Sequence, residues 1–215
     1  MKTLRLLIGG ALALILLVGG CEDATGPEGM GQIQILLTDA PTDYLSEATV
    51  EISQVYLKAA AEVEGEEETE GEGGDGNRVE LFNNVDEPLV FDLLDLQDGI
   101  TGQLTEIESL EAGTYHQLRL VVAKATVRLI EGYEFTDGEP SKTLHVPSGM
   151  QSGIKVHLNS PLEVTEGTLT TVTVDFDVDD NFVLQGNPET PAGIHGVLFT
   201  PVLKEKVRTE EETGG

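Results

Sequence analysis

The chain has 215 residues, with 39 Asp and Glu against 12 Lys and Arg, for a formal net charge of −27. Such an acidic surface repels the phosphates of DNA and RNA, which need Lys and Arg partners, so nucleic-acid binding is excluded as a function class. The single Cys, with no Trp and only ten aromatic residues (Tyr 4 and Phe 6), leaves packing and backbone pairing to hold the fold.

The first element is an export signal. Lys2 and Arg5 precede a 13-residue apolar run, Leu6 to Val18, interrupted only by Gly9 and Gly10. That length suits a signal peptide and is short of the roughly 20 residues a membrane-spanning helix needs. Val18-Gly19-Gly20-Cys21 follows and resembles a bacterial lipobox. The resemblance implies cleavage before Cys21, a diacylglyceryl group on its thiol and an acyl chain on the new amine. Two or three chains, at about 0.8 kcal/mol per buried methylene, anchor a protein stably. Removing residues 1–20 takes away two positive charges, so the mature charge is 10 − 39 = −29.

Residues 21–30, polar with Gly and Pro, read as a flexible tether. Residues 31–204 read as one domain of short strands. Strands are predicted over 32–38, closed by Asp39-Ala40-Pro41, and over 48–59. Residues 62–77 carry eight acids and five glycines and read as a disordered insertion in a hairpin, because they bury too little to offset their ordering entropy. Short apolar runs at 78–82 and 89–94 precede a connector, 92–110, in which Leu104, Ile107 and Leu110 recur every three residues and suggest one or two helical turns. The longest strand signal, His116 to Ile130, places Leu118, Leu120 and Val122 on one face and Val121, Ala123, Ala125, Val127 and Leu129 on the other, which predicts a central strand buried on both faces, bent at Lys124. Further strands are predicted at 143–146, 153–158, 168–178, 181–184 and 195–203. Residues 205–215 read as a disordered acidic tail. The sum is an all-β antiparallel sandwich of about seven to nine strands.

Six blocks in order carry a family resemblance: GQIQILLTDAPTDY (31–44), FDLLDLQDGITGQL (91–104), LEAGTYHQLRLVV (110–122), LHVPSGMQSGIKV (144–156), TTVTVDFDV (170–178) and GVLFTPVLK (196–204). Together they resemble the bacterial lipoprotein family called domain of unknown function 4382. The resemblance implies a secreted or lipid-anchored sandwich of the prealbumin-like or Ig-like kind, and it supplies no catalytic residues.

The strongest chemical signal in the domain is Asp175, Asp177 and Asp179, with Asp180 and Asn181 following. Oxygen-rich clusters suit Ca²⁺, but alternate strand residues stand about 7 Å apart and gather only if the chain turns. The string is not an EF-hand, since Asp180 stands where Gly is required and Gly186 where Glu is required. The other reading is a solvent-facing edge opposite a core face of Val172, Val174, Phe176 and Val178. Asp39 and Asp43 read as turn residues beside Pro41. His116, His145, His157 and His195 show no metal-ligand spacing, although strand pairing could bring His145 near His157. Gly149-Met150-Gln151-Ser152-Gly153 misses G-x-S-x-G by one position. No carboxylate pair stands out for glycoside hydrolysis.

These residues point to a lipid-anchored, non-catalytic module of the bacterial envelope, placed at the outer membrane where the cell has one, with an envelope protein or glycan as partner. A calcium-assisted carbohydrate-binding module is the alternative, and a hydrolase of unrecognised type is a third. Sparse aromatic faces weigh against the second reading and the missing nucleophile–base spacing against the third.

Overall fold

The computed structural model describes residues 29–39, 42–59, 78–147, 152–187, 189–190 and 193–213. The signal segment, Cys21, the tether up to residue 28, Pro41, the acidic stretch 62–77 and residues 149–151 of the near-miss serine motif lie outside them. The described chain is all-β. Fourteen strands divide into a twelve-stranded sheet and a two-stranded one, and four residues, Val178–Asn181, form the helical turn α1.

The strands are β1 (Met30–Thr38), β2 (Leu45–Ala59), β3 (Arg78–Asn83), β4 (Leu89–Asp92), β5 (Gly102–Gln103), β6 (Glu108–Glu111), β7 (Gly113–Leu129), β8 (Ser141–Leu144), β9 (Ile154–His157), β10 (Leu162–Val164), β11 (Thr168–Asp175), β12 (Phe182–Asn187), β13 (Gly193–Phe199) and β14 (Leu203–Glu212). The large sheet runs β3-β2-β7-β9-β14-β11-β1-β5, with β4 added to β2, β6 to β1, and β8 and β10 to β7. It is not purely antiparallel as expected: β1 runs parallel to β11 over Gln32–Thr38, and β14 runs parallel to β9 at Leu203 and Lys204.

Strict alternation builds the core. Ile33, Ile35 and Leu37 of β1 and Val172 and Val174 of β11 are fully buried, as period-2 geometry requires of one sheet face. The long β2–β7 pair departs from it. Glu51 lies opposite Lys124, Ile52 opposite Val122 and Gln54 opposite Val121, so Ala123 on one strand and Ser53 on the other are left out of register. An extra residue in a strand reverses which face the following residues take. The core set on β7 therefore passes from Leu118, Leu120 and Val122 to Ala125, Val127 and Leu129, all on one face. The reading of β7 as a two-faced central strand is corrected accordingly: its apparent second face is the same face after a bulge, one residue before the predicted bend. Val121, buried at 4% exposure, is the exception.

Two further expectations are corrected. Leu104, Ile107 and Leu110 do not form helical turns: the one helical turn within 92–110 is the 3₁₀ turn Leu93–Leu96, and Leu104 and Leu110 are buried individually beside β5 and on β6. Leu203–Glu212 is a strand, not a disordered tail. It pairs with β11 from Thr168–Glu212 to Asp175–Lys204 and sits between β9 and β11 in the middle of the sheet. Backbone pairing on one long edge orders a segment whose composition alone would leave it in solvent.

Candidate functional site

The predicted aspartates lie at the end of the sheet where β1 and β11 finish side by side, Thr38 opposite Asp175. Asp175 extends β11 and pairs with Lys206 of β14 at 3.3 Å. The chain then turns sharply. Asp177 takes a left-handed conformation (φ 41°) and caps α1, its Oδ1 accepting from the Asp180 amide at 3.2 Å. A non-Gly residue there is held at a conformational cost, which surrounding contacts offset. Asp179 and Asp180 are exposed, and Asp180 pairs with Lys204 at 3.2 Å.

Asn181 is the residue the turn is built around. Fully buried, it donates from Nδ2 to the Phe176 carbonyl and accepts from the Val202 amide at 2.6 Å. Asp39, 2% exposed, accepts from the Val178 amide at 2.8 Å and so ties the end of β1 to α1. Beneath lies an aromatic plug: the Phe176 ring stacks on Phe199 at 6.1 Å, and Phe182 lies 4.9 Å from Phe199. Beside it, Thr38 Oγ1 donates to the carbonyls of Leu96 and Ile100 at 3.0 and 2.9 Å. These groups close the end of the fold.

The turn thus gathers the five residues in sequence without aiming them at one point. Asp175 and Asp180 face lysines, Asp177 caps its own helix, Asn181 points inward and Asp179 faces solvent. Among the described residues no three His, Cys, Asp or Glu side chains converge on a position that could hold a metal ion.

The remaining sequence candidates disperse. Asp43 is exposed near the start of β2, and all four His are exposed. β8 and β9 both pair with β7, but Leu144 lies opposite Ala125 and Val156 opposite Leu118, seven residues apart along the strand. His145 and His157 are therefore separated by about 23 Å along the strand direction at 3.3 Å per residue. The Ser152 carbonyl accepts from the Tyr56 hydroxyl and from Arg119 at 2.8 Å, which makes this residue part of a loop clamp.

Two features escaped sequence reasoning. An open cleft of about 530 Å³ is lined by Ser46, Arg128, Glu131, Tyr133, Glu134 and Pro140, among others. Tyr44 meets Tyr133 edge to face at 6.3 Å, and Arg128 is held by Glu47 at 3.3 Å. Nearby, Lys142 pairs with Asp137 at 2.7 Å, and this hydrogen bond holds the Asp137 carboxyl below its ordinary range. The cleft arises from a turn between β7 and β8 that carries no motif. The second feature is the buried pair of Arg208 and Glu205, at 2.8 Å. The three-residue spacing was visible, but only the pairing of β14 buries it.

The family described as "Domain of unknown function (DUF4382)" matches residues 30–190. The matched span ends before β13 and β14, although β14 occupies the middle of the sheet. No curated protein and no solved structure matches the chain.

Proposed function

We propose that this chain, which belongs to the family described as "Domain of unknown function (DUF4382)", is a lipid-anchored, non-catalytic binding or structural module of the bacterial cell envelope. The observation that carries this reading is Cys21, the only Cys, which sits directly behind the apolar run and nine residues ahead of the first strand. Nine residues span at most about 30 Å, so a diacylglyceryl group on Cys21 keeps the domain close to the membrane surface. The use of Asp175, Asp177, Asp180 and Asn181 as ion-pair partners, cap and buried anchor supports a structural rather than a catalytic part for them.

The curled sheet is read as a prealbumin-like sandwich whose two layers enclose one continuous core. The anchor is read as outer-membrane where the cell has one. Replacing Cys21 by Ser is expected to abolish incorporation of radiolabelled palmitate and to remove Cys21-dependent processing. If the serine variant still takes up palmitate, or is processed to the same mature size, the reading is wrong.

A further inference from the structure

The chain has 12 Lys and Arg, of which Lys2 and Arg5 precede the domain, leaving ten among the described residues. Seven of these ten form ion pairs with carboxylates: Arg78, Lys124, Arg128, Lys142, Lys204, Lys206 and Arg208. The three that form none among the described residues, Lys58, Arg119 and Lys155, stand together.

Register places them. Arg119 of β7 lies opposite Tyr56 of β2 on one side and Lys155 of β9 on the other. Lys58, two residues along β2 from Tyr56, lies opposite Arg78 of β3 and Gln117 of β7. Directly paired residues share a face, with neighbours about 5 Å apart across strands and about 7 Å apart along them. Val55, Leu57, Leu118, Leu120, Ile154 and Val156 take the core face, so Lys58, Arg78, Arg119 and Lys155 take the outward one. The Arg78 guanidinium lies 3.8 Å over the Tyr56 ring, and Glu80, paired with Arg78, is the acid on these two rows. On a chain of net charge −27, cations gathered without an equal number of acids mark a surface for an anion.

We infer that the outward face of β3-β2-β7-β9 is a docking surface for a polyanionic glycan, a carboxylated polysaccharide lying across the strands. This deepens the binding-module reading and is independent of the lipid anchor. Charge complementarity selects a polyanion, and polarity selects a glycan. Stable protein partners require apolar anchors, and none of the large exposed apolar residues among the described residues lies on β2, β3, β7 or β9. Gln117, whose oxygen accepts from Arg119 at 2.9 Å, instead leaves its amide nitrogen among the cations, suited to hydroxyl groups. Recognition by ion pairs also fits a chain without Trp.

The probe is polygalacturonate, with neutral dextran, polyglutamate and phosphatidylglycerol vesicles as comparators, and the protein is the full chain in nonionic detergent. The face is expected to bind polygalacturonate at low ionic strength, to lose that binding as salt is raised, and to prefer it over all three comparators. Lys58→Glu with Lys155→Glu is expected to weaken binding about tenfold or more while leaving the melting temperature unchanged, since neither lysine is in an ion pair. Arg119 is left intact because it also holds the Ser152 loop. No binding by the wild-type chain, equal binding by the folded double variant, or preference for polyglutamate or vesicles would overturn the inference. Loss of palmitate labelling at Cys21 with glycan binding intact would sink the anchor and leave this face standing.

Discussion

Replacing Arg208 by Met isolates the buried charge of Glu205. The Glu205 side chain is 3% exposed and that of Arg208 14%, with the two 2.8 Å apart. Glu205 also accepts from the Asn159 amide at 2.9 Å, and Arg208 donates to the carbonyls of Ser160 and Pro161, each at 3.0 Å. The pair therefore joins β14 to the turn that leads from β9 into β10. Methionine keeps most of the volume and leaves Glu205 as a buried carboxylate with one amide partner. Removing one member of a buried pair costs about 3–5 kcal/mol; the partial exposure of Arg208 favours the lower end, about 3 kcal/mol. At about 2–4 °C per kcal/mol for a domain of this size, the melting temperature should fall by about 6–12 °C. Urea unfolding of wild type, Arg208→Met, Glu205→Gln and the double variant measures the coupling, which is expected to be about 1–3 kcal/mol. Single variants within about 0.5 kcal/mol of wild type, or strictly additive costs, would show that residues 205–212 do not pack as a strand.

Asn181→Ala strips partners from the Phe176 carbonyl and the Val202 amide and should cost about 2–4 kcal/mol in urea unfolding; a change below about 0.5 kcal/mol would mean that the α1 turn does not depend on it. Tyr115 is buried, donates to the Glu111 carbonyl at 2.9 Å, and has its pKa raised first by burial and then by the Glu111 charge. A folded pKa above the unfolded value of 10.0 means that stability is fully present below pH 10 and is lost as pH rises through the folded value. Tyr115→Phe should flatten that alkaline loss, and an unchanged alkaline profile would refute the assignment. For calcium, with Asp175 and Asp180 already facing lysines, Ca²⁺ should raise the melting temperature no more than equimolar Mg²⁺. A Ca²⁺-specific rise of the size mass action gives at a specific site would restore the calcium reading.

The all-β character was legible because short alternating runs and frequent turn residues carry it locally. Register was not. β7 reads as two-faced until Ala123 is known to be skipped, and a skipped residue leaves no mark in composition. β14 was hidden for the opposite reason: Lys204 to Glu212 is as charged as a tail, and its order comes from pairing with a strand some thirty-five residues earlier. At the candidate site the acids were found and their partners were not. Lys204 and Lys206 come from β14, and the partner of the Val178 amide is Asp39, 139 residues away. The cationic face was invisible for the same reason, since Lys58, Arg119 and Lys155 meet only once three strands are in register.

Mass spectrometry of the protein isolated from its own membranes can establish whether Cys21 is the first residue of the mature chain and carries lipid. The expected result is an N-terminal peptide beginning at Cys21, heavier than its unmodified mass by a diacylglyceryl group and one further acyl chain. A chain that retains Met1, or one cleaved elsewhere with a free Cys21 thiol, would contradict it.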